Sequence, residues 1–202
     1  LNKRFLIAIA LLVLLFQSTL AVSAVMPEQV VRQTSDQILQ ELMSRKQELQ
    51  ESPGKIYDLV EHIVLPRFDF QRMSQLVLGK YWPRATPEQK EAFVHAFRQL
   101  LVRTYATALL NYSGEEIAYL PNRQEANANN ATVNTEVKAS GALPIPIDYR
   151  LYMKDAEWMV YDVSIDGISL VSNYRTSFAS QIRRYKLNGL IQKLEQRNQQ
   201  RD

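Results

Sequence analysis

Between residues 27 and 50, apolar side chains recur at Val31, Ile38, Leu42 and Leu49, spacings that put them on one face of a helix. Ser52-Pro53 offers a capping residue followed by a proline suited to a first helical turn, so a second, short helix is expected from there to about Val64. Pro66 breaks it, Phe68 to Leu78 forms another, and Gly79 stops that one. The strongest helix start is Thr86-Pro87-Glu88-Gln89, with a hydroxyl at the cap, proline next and an amide side chain three residues on. Phe93, Phe97, Leu100, Leu101, Thr104 and Ala108 then trace a stripe that Val94 and Tyr105 widen. A stripe that broad predicts a helix covered on more than one side. Asn111 to Gly114 ends it.

After Gly114 the period changes to two. Ile117 and Tyr119 start a short strand, and a polar loop rich in Asn covers Asn122 to Asn130. Val133, Thr135 and Val137 alternate with polar residues, as do Ile145, Ile147, Tyr149, Leu151 and Met153. Lys154 to Glu157 turns the chain back, and Trp158 to Ile165 forms the last strand with Met159, Tyr161, Val163 and Ile165 on one face. Pro144 and Pro146 cannot donate to a ladder, so that end of the strand is expected at an edge or outside the pairing. Asp166-Gly167 is read as the turn out of the sheet. Val171, Tyr174, Phe178 and Ile182 return to helical spacing, Asn188-Gly189 interrupts, and Gln196 to Asp202 is expected to fray. The fold class is therefore α+β: helices packed on an antiparallel sheet of about four strands with one face covered.

The first residues follow a different pattern. Lys3 and Arg4 precede an unbroken apolar run from Phe5 to Phe16, and small side chains follow at Val22-Ser23-Ala24. This has the form of a cleaved secretory signal peptide over residues 1–24, leaving 25–202 as a single domain. The apolar run falls short of the roughly 20 residues a bilayer span requires, which argues against the alternative of a permanent anchor. The expected location is outside the cytoplasm.

Two of the 24 basic residues leave with that leader, against 21 acidic ones, so the processed chain is nearly neutral. Near-neutrality and location both argue against nucleic acid as a partner. With no Cys and only two His, His62 and His95, the chain offers no thiolate chemistry and no metal-ligand spacing; both histidines read as ordinary helix residues. No nucleophile elbow, phosphate-cradling Gly loop or metalloprotease His pair is present. Asp148, Asp162 and Asp166 remain as candidates for a carboxylate-dependent active site, though strand-end Asp more often sits in a turn or on the surface. What the chain has in surplus is apolar surface: Phe93, Phe97, Leu100 and Tyr105 on the helices, and Ile147, Tyr149, Leu151, Tyr161 and Val163 on the strands. These residues either fill a core or line a hollow, and periodicity does not separate the two.

The order and spacing of several segments resemble a known family. They are Leu65-Pro66-Arg67-Phe68-Asp69-Phe70, Leu78-Gly79-Lys80-Tyr81-Trp82, Ala85 to Gln89, the Phe-x-x-x-Phe-x-x-x-Leu spacing from Phe93, Val160 to Val171, and Asn173-Tyr174-Arg175 with Phe178. Together they look like the MlaC, or toluene-tolerance, family of periplasmic phospholipid-binding proteins. The likeness extends over nearly all of residues 25–202. It implies a curved sheet with an apolar cavity between sheet and helices, acyl chains inside it and a headgroup facing solvent. It further implies a carrier shuttling phospholipid between an outer-membrane lipoprotein–porin complex and the substrate-binding subunit of an inner-membrane ABC transporter, with no catalytic residue and no cofactor. On that reading the lipid-binding residues are Phe93, Phe97, Leu100, Tyr105, Ile147, Tyr149, Leu151, Tyr161 and Val163, with Trp82 at a mouth, where a ring with a polar N–H suits a wet boundary. The rival readings are an enzyme using a carboxylate in the same cavity and a periplasmic adaptor or chaperone with a filled core. Lys80 and Arg84 around Trp82, and the cluster Arg183, Arg184 and Lys186, are candidates for charge-steered docking; a plain solvated surface would use the same residues.

Overall fold

The structure is a computed structural model that describes residues 26–121 and 129–199. The expected signal peptide, residues 122–128 of the Asn-rich loop and residues 200–202 lie outside the described residues.

Helix α1 (Pro27–Ser44) buries Val30, Val31, Ile38 and Leu42. Arg45 leaves helical geometry at φ −108° and ψ 17°, and α2 (Lys46–Glu51) buries Leu49, so the single expected helix is two. Ser52 and Pro53 form a turn rather than a cap: their carbonyls accept the N–H groups of Lys55 and Ile56 at 3.1 and 3.2 Å, and α3 (Lys55–Leu59) starts after it. A π-helical turn (Val60–Val64) and a 3₁₀ turn (Leu65–Arg67) carry the chain through Pro66, whose missing N–H cannot continue the regular ladder. Helix α4 (Phe70–Leu78) begins two residues later than its apolar spacing suggests. Asp69 is its cap, with Oδ1 accepting the Arg72 N–H at 2.8 Å, while Phe68 is extended. Gly79 ends α4 at φ 50°, a conformation that favours glycine. After a 3₁₀ stretch (Gly79–Arg84) comes α5 (Pro87–Leu109), opened by the expected reciprocal box: the Gln89 N–H donates to Thr86 Oγ1 and the Thr86 N–H to Gln89 Oε1.

The sheet is an antiparallel meander of five strands in chain order: β1 (Glu116–Leu120), β2 (Asn130–Lys138), β3 (Ile145–Lys154), β4 (Glu157–Ile165) and β5 (Ile168–Ser169). The fifth strand corrects the reading of Asp166-Gly167: the chain turns there but stays in the sheet, with Ile168 opposite Ile165. Pro146 also sits differently from expectation, inside the β2–β3 ladder of an inner strand, opposite Glu136. Its C=O accepts the Asp166 N–H at 2.9 Å, so its nitrogen faces the β4 side beyond the last paired residue, where no donor is required. The outer edge of β4 is covered at both ends, by β5 and by Phe68, whose parallel bridge to Val160 is followed by a 2.9 Å bond from the Asp69 N–H to Val160 O.

One irregularity changes the reading of β4. Arg150 faces Asp162 but Leu151 faces Val160, which leaves Tyr161 as an extra residue in a β-bulge. The shared face is thus Ile147, Tyr149, Leu151 and Met153 on β3 with Ile165, Val163, Val160 and Trp158 on β4. Met159 and Tyr161 do not belong to it, a one-residue slip that the expected alternation missed.

Helix α6 (Leu170–Gln199) reverses direction at Lys186, which has φ 61° and ψ 175°, two residues before the expected break at Asn188-Gly189. Ahead of the reversal, Tyr174 meets Phe97 and Phe178 meets Phe93, so residues 170–185 run antiparallel to α5. Beyond it, Asn188 bonds Gln89 and Asn198 bonds Ala96 O, so 187–199 run parallel to α5. Helix α5 is therefore covered from two sides, as its broad stripe predicted. Asn198 is buried and donates to Ala96 O at 2.9 Å, which holds the end that was expected to fray helical as far as Gln199.

Three apolar clusters make the core. The helical cluster joins α4, α5 and α6 through Met73, Phe93, Phe97, Leu100, Phe178 and Leu190. The sheet cluster joins Val133, Leu151, Trp158, Val160 and Val163 to Val30 and Val31 of α1 and Leu170 of α6. A third packs α1, α2 and α3 on Ala106 of α5.

Candidate functional site

The ten apolar residues singled out by the sequence fall into separate places. Phe93, Phe97 and Leu100 sit inside the helical cluster, fully enclosed. The Phe93 and Phe97 rings stack at 5.7 Å, and Phe178 stands edge-on to both at 5.9 Å. These rings face one another across a packed helical core. Half-buried Trp82 packs on the same cluster from the 3₁₀ stretch, with Lys90 Nζ 5.6 Å from its ring.

Ile147, Tyr149, Leu151 and Val163 lie together on the covered sheet face, in the sheet cluster. Tyr161, displaced by the bulge, instead meets Tyr152 at 5.9 Å and the Arg72 guanidinium at 4.9 Å. Tyr105 bridges the two groups: it packs on both the helical and the sheet clusters, as do Phe68 and Tyr174, which the sequence reading did not select. Tyr174 was visible as part of the α6 stripe. Phe68 was placed inside a helix, which hid its position between the layers.

The seam between the layers is apolar, with phenols set into it. Burial pushes the Tyr149 hydroxyl, on a half-buried residue of the covered face, up to about 12. Burial, with a hydrogen-bonded Tyr174 beside it, also raises Tyr105 to about 12. Burial raises Tyr119 on β1, whose ring lies 3.7 Å under the Arg32 guanidinium of α1. Exposure along the sheet face is graded. Leu151 is enclosed, Tyr149, Ile147 and Ile165 are half-buried, and Ile145 and Ile168 are 49% and 60% exposed. Ile145 shares the face of Ile147, and Ile168 stands opposite Ile165. The covered face thus runs out at one end of the sheet into an open apolar rim, with Leu143 beside it at 88% exposure.

The carboxylates have structural partners. Asp162 accepts the Ser169 hydroxyl at 2.6 Å and the Val171 N–H at 3.0 Å, which fixes the start of α6. Asp148 accepts Asn134 Nδ2 at 2.6 Å, and Asp166 occupies the β4–β5 turn at φ 50°. Asp69 joins α4 to β3, accepting the Tyr152 hydroxyl and Lys154 Nζ, the latter at 2.9 Å. His62 and His95 are exposed. Among the described residues no group of three or more His, Cys, Asp or Glu side chains could hold a metal, and no helix is long and apolar enough to cross a membrane.

Two surface pockets lie away from the seam. One, of about 320 Å³, sits between Leu42, Leu49 and Leu109. The other, of about 420 Å³, sits at the α6 reversal and is lined by Arg84, Arg183 and Lys186 among others.

The comparisons with known proteins agree with one another. The family described as MlaC protein matches residues 32–196. The toluene tolerance protein ttg2D of Pseudomonas putida is 31% identical over 166 residues, covering 82% of this chain and 77% of that protein. The intermembrane phospholipid transport system binding protein MlaC of Haemophilus influenzae is 26% identical over 200 residues, covering 97% of this chain and 93% of that protein. Among solved structures, a phospholipid-binding protein from Ralstonia solanacearum in complex with a phospholipid superposes with a TM-score of 0.79 at 34% identity, covering 86% of this chain and 97% of that one.

Proposed function

This chain belongs to the MlaC family, and from that premise we propose that it is a periplasmic phospholipid-binding transport protein that holds its cargo by the acyl chains and performs no chemistry on it. The observation that carries this reading is the Ralstonia relative, a structure of the same fold that contains a phospholipid. The chain's own residues support it. Half-buried Ile147 and Tyr149 lie on the covered sheet face between the sheet and the helices, and that face continues into the exposed apolar residues Ile145 and Ile168. The acyl chains enter over Ile145 and Ile168 and lie along Ile147, Tyr149, Val163 and Leu151. Tyr105, Tyr174 and Phe68 form the opposing side, and Phe93, Phe97 and Leu100 back it as packed core. Trp82 stays with the helical layer.

The energetics suit reversible carriage. Burial is worth about 0.8 kcal/mol per CH₂, so a lipid with about 30 chain carbons would cost roughly 24 kcal/mol to leave bare in water. A seam that covers those carbons offsets nearly all of that, and a bilayer offers the same surroundings. Transfer between the two is therefore close to balanced. The carrier works between an outer-membrane lipoprotein–porin complex and the substrate-binding subunit of an inner-membrane ABC transporter. The carboxylates that an enzyme would need are occupied in holding α6 and the strands.

Expression with its leader, detergent-free purification from the periplasm and mass spectrometry of the extracted lipid test the proposal. About one intact diacyl phospholipid per chain is expected. A lipid-free protein would favour an adaptor with a filled core, and a hydrolysed lipid would favour an enzyme.

A further inference from the structure

Two basic segments far apart in the sequence meet in one pocket. Arg84 ends the 3₁₀ stretch before α5, and Arg183 and Lys186 flank the reversal of α6. All three line the same concavity of about 420 Å³, with Tyr81, Ala85, Ile182 and Leu187 as its apolar part and Gln89 as its polar part. Among the described residues no acidic side chain lines it. Among the described residues none of the three cations has an ion-pair or hydrogen-bond partner on its side chain. The nearest carboxylate in sequence, Glu88, is held by Thr86 and its own backbone N–H at the start of α5. Other cations of these segments rest on aromatic rings: Lys80 by Tyr81, and Arg184 and Lys193 by Tyr185.

The frame of the pocket is fixed while its cations are free. Gln89, which lines the pocket, donates from Nε2 to Asn188 Oδ1 at 2.7 Å, which ties the α6 reversal to the first turn of α5. Lys186 holds φ 61° and ψ 175°, a backbone region that side-chain-bearing residues rarely occupy and that persists where the surroundings enforce it. Glycine would meet that geometry without strain, yet the position carries a lysine.

We propose that this pocket is the docking site for an acidic, partly apolar segment of a membrane-complex subunit, one that presents Asp or Glu carboxylates beside an apolar side chain. The proposal rests on the carrier reading above. Three unpaired cations around an apolar floor complement such a segment in charge and in surface. A free phosphate could not use the apolar half. A membrane would call for protruding apolar groups, and the large exposed ones other than Tyr185 lie elsewhere, at Met26, Met43, Leu120, Leu143, Ile145 and Ile168. Ile182 is twelve residues along α6 from Leu170, about 18 Å of helix, so the docking pocket stands well apart from the apolar rim. A partner can hold the carrier there while the rim stays open to lipid. Unpaired surface cations act chiefly on the rate of encounter, which makes docking fast and salt-sensitive.

The test compares the lipid-loaded wild type with Arg84→Glu/Arg183→Glu and with the charge-preserving Arg84→Lys/Arg183→Lys. Each is measured binding to the inner- and outer-membrane complexes, and to protein-free vesicles containing phosphatidylglycerol. We expect charge reversal to slow association with at least one complex about tenfold or more at low salt, and lysine to restore most of it. Bound lipid per chain should be unchanged in both variants, and wild-type binding should weaken with salt toward that of the reversed variant. Unchanged association of the reversed variant with both complexes at low salt would overturn the proposal. An equal loss on bare vesicles would overturn it in favour of a membrane-binding patch, and blocking of the wild type by millimolar inorganic phosphate with no salt effect beyond it would overturn it in favour of an ion site. Wild type that carries no lipid yet still docks through these residues would refute the carrier reading and leave the pocket standing.

Discussion

Leu151 is the residue on which the account of the seam bears most directly. It is enclosed on the covered sheet face, and a larger ring forced into a filled core costs about 1–3 kcal/mol. If the space beside it is filled by acyl chain, Leu151→Trp displaces lipid instead, so the variant should melt within a few degrees of wild type and carry clearly less phospholipid. A folded variant with wild-type lipid content would remove Leu151 from the lining. Asp69 makes a separate case. Burial opposes its charge, but hydrogen bonds from Tyr152, the Arg72 N–H and Lys154 outweigh this and hold the carboxyl below its ordinary 3.8. A depressed acid stabilises the fold while the unfolded chain is ionised, and that contribution is lost as pH falls through the lower, folded value. Asp69→Asn should therefore cost about 1 kcal/mol near pH 7, with the gap to wild type narrowing in urea titrations as pH falls below 3.8. A gap that widened in acid would contradict this. Residue roles were legible where they are local. The Thr86–Gln89 box and Gly79 declare themselves within a few positions, whereas Asp69 finds Tyr152 and Lys154 more than 80 residues away, and no spacing rule connects them.

At the scale of elements, apolar period recovered the helices around Val31, Phe93 and Phe178 and four of the five strands, because one-sided burial imposes that period. It failed where burial gives no phase. From Trp158 to Tyr161 every residue is apolar, so either register satisfies a covered face, and only the backbone decides for the bulge at Tyr161. The two-residue strand β5 is too short to show alternation at all. The α6 reversal was sought at Gly189, the natural breaker, but falls at Lys186. Gly189 serves another purpose: a β-carbon there would stand 2.7 Å from Cβ of Tyr185, so glycine lets the two arms approach. Gly189→Ala should thus destabilise the protein by about 1–2 kcal/mol. Lys186→Gly should stabilise it by about 1 kcal/mol, since relief of a strained backbone exceeds the entropy that glycine adds to the unfolded chain. Thermal melts moving in opposite directions would bear this out, and a lower melting point for Lys186→Gly would show that the reversal is unstrained.

For the whole molecule, the sequence announced two apolar layers and a family resemblance, and both hold. It could not say which apolar residues pack against protein and which face a seam, since a ring in a filled core and a ring beside a lipid have the same period. In the structure Phe93, Phe97 and Leu100 are enclosed among helices, while Ile147, Tyr149, Leu151 and Val163 lie on the covered sheet face, whose continuation at Ile145 and Ile168 is exposed. On the proposed function the molecule is two layers that part around lipid, with a basic pocket on the helical layer at the α6 reversal. The most direct measurement loads the protein with a phospholipid carrying a photoreactive group along its acyl chain, irradiates it and maps the labelled peptides. The account predicts labels on the covered face, at Ile147 to Leu151 and Val160 to Ile165, and on Tyr105 or Tyr174 opposite. Labels confined to the polar outer face at Asn134, Glu136 and Arg150, or to the groove between Leu42 and Leu109, would contradict it.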